Sequence, residues 1–208
     1  KNVAQKDEIY NNYVLGDTEP IFSKLGNQAA LRMHLLAAIA TNFVDSMDGI
    51  YKFIDSTFYA YQADTFALKD DIHEAVDFLQ RNGFIEQINN DKFMSTLFGN
   101  RTSSLYIDPL SGLLLKKALE KSCDKKHSVL SFIHAVCATP DVRSLYLRSS
   151  DTWVEEKADK NKSIFLLDPP GYSNEEYEWF LSDLKTASLI EDWIEEVHED
   201  RIVTKYNV

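Results

Sequence analysis

The chain has 208 residues, and 44% of them are hydrophobic, which is enough for a packed core and excludes a disordered protein. Its net charge is −11, and both halves are acidic, since residues 1–110 carry 9 basic and 15 acidic side chains and residues 111–208 carry 13 and 18. This balance excludes a nucleic-acid binder that depends on a general surplus of Lys and Arg. Only 7 Gly and 5 Pro favour helices over long loops.

The sequence signals that bear on cellular location favour the cytoplasm. No apolar run in the sequence is long enough for a membrane span, and no signal peptide is visible. Two cysteines, Cys123 and Cys137, without a framework of others indicate a reducing compartment. We therefore expect a soluble, cytoplasmic monomer with no membrane partner. The polar lead-in of about 20 residues and the uncapped end TKYNV suggest a fragment of a longer protein.

The first half predicts three helices followed by two short strands. Apolar spacing marks a helix within 26–42, a second that starts after Ser46, and a third from Leu68 to the C-cap signal Asn82-Gly83. The apolar stripes of these helices are Leu31, Leu35, Ala38 and Ile39; Ile50, Phe53, Ile54, Thr57, Phe58 and Tyr61; and Ile72, Ala75, Val76 and Leu79. The runs FIEQI and KFMST around the polar turn NND predict a β-hairpin. This order is that of a winged helix-turn-helix.

The third helix has the wrong charge for reading DNA bases. Its polar side offers Asp70, Asp71, Glu74 and Asp77, and a major groove would place these carboxylates against phosphates. The winged helix is therefore interpreted as a packing module rather than a sequence reader.

The middle of the chain contains a stiff corner, SLYIDPLSG, at residues 104–112. A strand-like run, Leu105-Tyr106-Ile107, ends at Asp108-Pro109. Asp108 suits a helix N-cap and Pro109 suits the first helical position, so a helix is predicted to begin there.

The second half predicts about five short helices. Thr139-Pro140-Asp141 is expected to end one helix and start the next, and residues 173–176, SNEE, form a capping-box pattern. The predicted apolar faces are Val129, Phe132, Ile133 and Val136; Val142, Leu145 and Tyr146; Tyr177, Phe180, Leu181 and Leu184; and Ile190, Trp193, Ile194 and Val197. The fold class is therefore mostly α: a winged helix-turn-helix followed by a partial helical bundle.

Motifs of enzyme chemistry are absent from the sequence. No phosphate-binding P-loop, H-E-x-x-H or G-x-S-x-G pattern occurs in it. The group Cys123, His127, His134 and Cys137 fits no common zinc spacing, and two of its members lie on or beside a core-facing stripe. No metal site is predicted, and no catalytic residue is assigned.

Two features are candidates for nucleic-acid contact. Lys116 and Lys117 open the run KKALEKSCDKK, which could hold phosphates, although a solvated helix face explains it more simply. Arg148 and Trp153 combine a cation with a stacking plane, as single-strand binders do, although a buried Trp near a helix start explains them nearly as well.

Five stretches in fixed order resemble a known family. These are EPIFSKLG at 19–26, SLYIDPLSG at 104–112, TPD at 139–141, SDTWVEE at 150–156 and YEWFLSDLKTASLIEDWIEE at 177–196. Together they resemble the archaeal Hjm/HelQ group of superfamily-two DNA helicases, relatives of the Ski-type RNA helicases. The resemblance covers nearly the whole chain.

The resemblance implies an accessory region of an ATP-dependent 3′–5′ DNA helicase that acts in repair or replication-fork processing. Residues 1–25 would be the linker from the second RecA-like motor domain, 26–106 the winged helix, and 107–208 the first part of the helical ratchet domain. ATP and Mg²⁺ would bind the motor domains of the parent protein, so this fragment would hold no cofactor and be inactive alone. Its partners would be those motor domains and single-stranded or forked DNA, around which it helps to complete a ring. Tyr106, Asp108 and Pro109 would form the inter-domain corner.

Two alternatives stay open at this point. A free-standing winged-helix transcription regulator would prefer a duplex site, which the acidic third helix opposes. A protein–protein adaptor would bind no nucleic acid and would bind the separate motor domains tightly.

Overall fold

The computed structural model describes residues 3–89, 91–172 and 175–208. Within those ranges the chain is mostly helical and contains one two-stranded antiparallel sheet, so the predicted fold class is confirmed. The first helix, α1 (Val3–Tyr13), lies in the predicted linker, and its side chains from residue 5 onward are exposed. None of the helices in the described ranges combines the length and the apolar character that a membrane span requires.

The winged helix is built around α2 (Gln28–Ala40), which Asn27 caps through its side chain. The predicted stripe of this helix is confirmed, because all four of its residues are buried in the first hydrophobic core. Helix α2 packs against the helix at 69–81, the strand at 92–95 and the helix at 97–105, and so lies at the centre of this unit.

The second predicted helix is wrong in its length, because the structure divides it in two. Helix α3 (Met47–Asp55) begins at the predicted cap Ser46, and a separate α4 (Phe58–Gln62) follows. At the break, the hydroxyl groups of Ser56 and Thr57 donate to carbonyl oxygens of the preceding turn, each at 2.7 Å, which favours the end of a helix. Tyr61, predicted to lie on the core stripe, is 87% exposed as a result.

The third helix and the wing agree with the sequence prediction. A short 3-10 helix (Thr65–Leu68) leads into α5 (Lys69–Arg81), which ends before Gly83 at a φ of +73°, the left-handed conformation that glycine adopts most easily. Strands β1 (Ile85–Asn89) and β2 (Lys92–Ser95) pair antiparallel. Asn90, in the predicted turn, lies outside the described residues.

The predicted strand at 105–107 is wrong. These residues follow directly from a helix that the sequence did not predict, α6 (Leu97–Leu105), which Thr96 caps. Helix α6 lies so close to the wing that a Cβ on Gly99 would stand 1.9 Å from the carbonyl oxygen of Phe84. Tyr106 then ends the helix in the left-handed conformation, at a φ of 55°.

The helical unit begins with α7 (Pro109–Ser122) and α8 (Val129–Cys137). The predicted face of α8 is displaced by about one residue, since Val129 and Val136 are exposed whereas Leu130, His134 and Cys137 are buried. The buried ring of His134 contacts those of Phe165 and Phe180 of the second core, at centroid distances of 4.8 Å and 5.0 Å.

The remaining helices are α9 (Thr152–Asn161), α10 (Glu176–Ile194) and α11 (Glu199–Tyr206). The predicted helix after Thr139-Pro140-Asp141 is wrong, because residues 143–148 have no regular secondary structure. The two predicted faces beyond residue 176 belong largely to the single helix α10, and Trp193 is exposed. The predicted capping box includes residues 173 and 174, which lie outside the described residues.

Two large hydrophobic cores and one small cluster hold these elements together in the described part of the chain. The first core fills the winged helix, and the second lies among α8, α9 and α10. Helix α7 packs against α2 and α6 on one side and against α8 on the other. It therefore joins the two units.

Candidate nucleic-acid interface

The predicted inter-domain corner contains a buried polar junction. Asp108 Oδ1 accepts a hydrogen bond from the backbone N–H of Leu110 at 2.9 Å, so the predicted N-cap of α7 is confirmed. The same carboxylate pairs with Arg32 of α2 through Nη2 at 3.0 Å and Nε at 3.3 Å. The side chains of Arg32 and Asp108 are only 14% and 6% exposed. This bidentate pair ties the corner to the central helix of the winged helix.

The other corner residues play backbone roles. Pro109 occupies the first turn of α7 and is buried, where its fixed φ suits a helix start. Tyr106 is exposed and left-handed, so its strained backbone makes the turn while its ring lies in solvent. The backbone N–H of Asp108 donates to Asp141 Oδ2 at 3.0 Å, which links the corner to the end of α8 as well.

The two predicted lysines lie on the exposed face of α7. Lys116 Nζ is 4.0 Å from Glu120 and 5.0 Å from the ring centre of Phe98. Lys117 is exposed and makes no ion pair within the described ranges. Farther along, Lys121 pairs with Asp168 and Lys125 donates to a backbone carbonyl. Within the described ranges Lys126 is also exposed without an ion pair, so Lys116, Lys117 and Lys126 are the lysines of the run that offer charge to a ligand.

The structure brings Arg148 and Trp153 to one region, beside the end of α11. Arg148 Nη2 donates to the carbonyl oxygen of Asn207 at 3.3 Å. The ring of Trp153 is half-buried and lies 5.6 Å from that of Tyr206, edge to face, with Lys205 Nζ 4.9 Å above it. Trp153 therefore packs against the protein, and its ring face is already occupied. No described contact joins either residue to the lysines of α7.

A groove that the sequence interpretation did not identify lies next to Arg148. It has a volume of about 460 Å³, and its walls include Tyr146, Arg148, Glu178 and Trp179. Tyr146 is 80% exposed and Trp179 is 72% exposed. The sequence contained a signal that Trp179 is exposed, because this residue falls outside the apolar stripe of α10, residues 177, 180, 181 and 184. Tyr146 was missed because it was assigned to a helix face.

A buried ion pair holds the groove in shape. Lys185 Nζ lies 2.8 Å from Asp151 Oδ2 and also donates to the carbonyl oxygen of Tyr146 at 2.9 Å. Burial raises the pKa of Asp151, but the ammonium group of Lys185 and the backbone N–H of Arg148 together hold it below its ordinary value. The side chains of Lys185 and Asp151 are 2% and 7% exposed. The wall of the groove is thus a fixed surface.

Of the group Cys123, His127, His134 and Cys137, only His134 and Cys137 are buried. Within the described residues no three His, Cys, Asp or Glu side chains are arranged to hold a metal ion. Burial lowers the pKa of His134 to about 4 and raises that of the Cys137 thiol to about 12. Both are therefore neutral near pH 7. Cys123 is exposed on the surface.

The polar face of α5 carries the expected acidic side chains. Asp70, Glu74 and Asp77 are exposed. Gln28 of α2 donates to Glu74 at 2.9 Å. This face therefore presents carboxylates where a base-reading helix needs donors and positive charge.

Two family models match the chain in the order of its two units. One described as a helix-turn-helix domain matches residues 5–86, and one described as archaeal helicase, domain 4, matches residues 130–208. The fold and these matches define the chain as a winged-helix and helical region of the archaeal helicase type.

Two individual relatives describe the similarity more closely than the family models do. A Methanocella arvoryzae protein named ATP-dependent DNA helicase Hel308 is 41% identical over 213 residues, which is 100% of this chain and 28% of that protein. A Pyrococcus horikoshii protein of the same name is 37% identical over 204 residues, or 96% of this chain and 28% of that protein. The chain fits a fragment of a Hel308-type helicase, and it spans 28% of the length of each of these two relatives.

Proposed function

We propose that this chain is the accessory region of an ATP-dependent 3′–5′ DNA helicase that acts in repair or replication-fork processing. In this role it helps to complete a ring around single-stranded DNA in the cytoplasm. ATP and Mg²⁺ bind the RecA-like motor domains of the whole protein, which are partners of this region. We assign residues 1–25 to the linker, 26–106 to the winged helix and 107–208 to the helical ratchet unit.

One observation carries this proposal. Proteins named ATP-dependent DNA helicase match this chain over almost all of its length, across both units and the corner between them. The ion pair of Arg32 with Asp108 supports a rigid corner, because a ring around a moving strand has to keep its shape. The net charge of −11 fits a region that supplies shape and a few local contacts.

Neither alternative has support of this kind. A transcription regulator would read bases with α5, whose exposed face is acidic. An adaptor would require only protein contacts, and the relatives are named as DNA helicases.

Fluorescence anisotropy tests the proposal. The 208-residue chain is titrated onto a labelled single strand and a matched duplex at low and moderate salt. We expect salt-sensitive binding to the single strand in preference to the duplex, and weaker binding after Lys116→Ala, Lys117→Ala or Arg148→Ala. Lys52→Ala, on the winged helix, is the matched control. Preference for the duplex would favour a regulator, and failure to bind either would contradict a direct role on DNA.

A further inference from the structure

We infer that the groove walled by Tyr146, Arg148 and Trp179 is a subsite for unpaired nucleotides of a single strand. In this subsite a base stacks on the exposed rings and a backbone phosphate pairs with the guanidinium. The inference rests on the proposed function and specifies where this region grips its substrate.

The charge of the segment supports an anionic ligand. Residues 142–150, VRSLYLRSS, contain two arginines and no acidic side chain, in a chain with a net charge of −11. Arg143 and Arg148 are both exposed, and Arg143 makes no ion pair within the described ranges. Of the acidic residues that flank the segment, Asp141 accepts from the backbone of Asp108, and Asp151, which accepts from the backbone N–H of Arg148, is neutralised by the ammonium group of Lys185. The segment is therefore a local positive strip.

The rings of the groove are exposed, yet their backbone is fixed. Besides the Lys185 contact with Tyr146, the backbone N–H of Leu145 donates to Thr186 Oγ1 at 2.8 Å. The backbone N–H of Arg148 donates to Asp151 Oδ2 at 2.8 Å. Trp179 stands on the regular helix α10. A ligand that binds here pays little for ordering the backbone, which is how stacking sites gain affinity.

The chemistry of the walls favours a nucleotide over an apolar peptide. Large exposed aromatic rings next to a guanidinium are the arrangement that binds single strands without sequence preference. A peptide that filled the groove through apolar contacts alone would make no use of the guanidinium of Arg148, which lines it. Glu178 is the one acidic side chain among the lining residues, and it opposes an anion. Removing its charge is therefore expected to strengthen binding.

Anisotropy with a labelled oligothymidylate tests the subsite in the 208-residue chain. Trp179→Ala and Tyr146→Ala should each weaken binding about tenfold, since each removes a ring on which a base stacks. Trp179→Phe should restore most of the loss because it keeps a ring. Glu178→Gln should raise affinity roughly two- to fivefold. Arg148→Gln should reduce the slope of log affinity against log salt by about 0.7.

Trp193→Ala is the matched control, because Trp193 is 71% exposed on the same helix and outside the groove. It should bind as the wild type does. Unchanged denaturation midpoints for all variants would show that losses of affinity are local. If the wild type binds the strand and the Trp179 and Tyr146 variants bind equally well, the subsite is wrong while the proposed function stands. If the wild type does not bind the strand, the subsite is wrong, and so is a direct role of this region on DNA.

Discussion

The Arg32–Asp108 pair predicts a large and specific loss of stability. Asp108→Ala removes the N-cap of α7, which is worth about 1 kcal/mol. It also leaves the guanidinium of Arg32, whose side chain is 14% exposed, without its partner. Breaking a buried pair from one side costs about 3–5 kcal/mol. The residual exposure of Arg32 and its position 5.2 Å above the ring of Phe78 favour the low end, so we expect a total of about 4 kcal/mol.

Asp108→Asn separates the two contributions. Asparagine caps a helix about as well as aspartate, so this variant should lose only the charge contribution, about 3 kcal/mol. Urea denaturation at 25 °C measures the free energy of unfolding, and an unchanged m-value would show that the denatured state is the same.

A double-mutant cycle makes the test specific. Asp108→Asn combined with Arg32→Met should give a coupling energy above about 1.5 kcal/mol. The control pair is Arg81 and Asp77, whose side chains are 72% and 66% exposed, and it should couple by less than about 0.5 kcal/mol. A coupling for Arg32 and Asp108 as small as that of the control would refute the assignment of a stabilising buried pair to the corner.

Two further predictions concern the cores. The pKa of His134 is about 4 in the folded chain, below its ordinary 6.5, so the unfolded state takes up the proton first and stability falls by about 3 kcal/mol as pH drops from 6.5 to 4. Burial raises the pKa of Asp183 to about 6, so here the folded state takes up the proton first and the free energy of unfolding rises as the pH drops through 6. This gain is roughly 1–2 kcal/mol after a discount for the partial exposure of the side chain. Urea titrations across this pH range compare each variant with the wild type. Relative to the wild type, His134→Leu should gain stability as the pH falls and Asp183→Asn should lose it. Profiles that run parallel to that of the wild type would contradict both assignments. Gly99→Ala should lose about 1–3 kcal/mol of stability, because its Cβ would meet the carbonyl oxygen of Phe84. Gly171→Ala is the control, since its Cβ would have nothing within 4 Å, and it should lose far less stability in thermal denaturation. Equal losses would mean that α6 can move away from the wing.

Elements fixed by their own residues were predicted well from the sequence. The stripes of α2 and α5 are buried as expected, and Asp108-Pro109 starts a helix as expected. In each case the information is local, as apolar spacing or a capping side chain. Helix α6 was missed because LFGNRTSSL has a weak apolar stripe and is held by contact with the wing.

Elements fixed by distant partners were predicted poorly. Residues 143–148 have an apolar pattern that suits a helix, but their backbone groups bond to Thr186 and Lys185, about 40 positions later. No local pattern could reveal those partners. Distant partners also explain why the role of Trp153 could not be settled from the sequence. Its ring is a candidate for base stacking in the sequence, but in the structure it contacts Tyr206 and Lys205, about 50 positions later.

The position of α7 decides how the winged helix can be produced on its own. Leu113 of this helix packs on the first core, and the ring of Phe98 lies under Lys116. A protein cut after residue 106 would lose these contacts together with the carboxylate that neutralises Arg32. A protein cut after residue 122 would keep them and expose mainly the face that α8 covers. The smallest unit that folds well is therefore one helix longer than the winged helix itself, and the corner lies inside it.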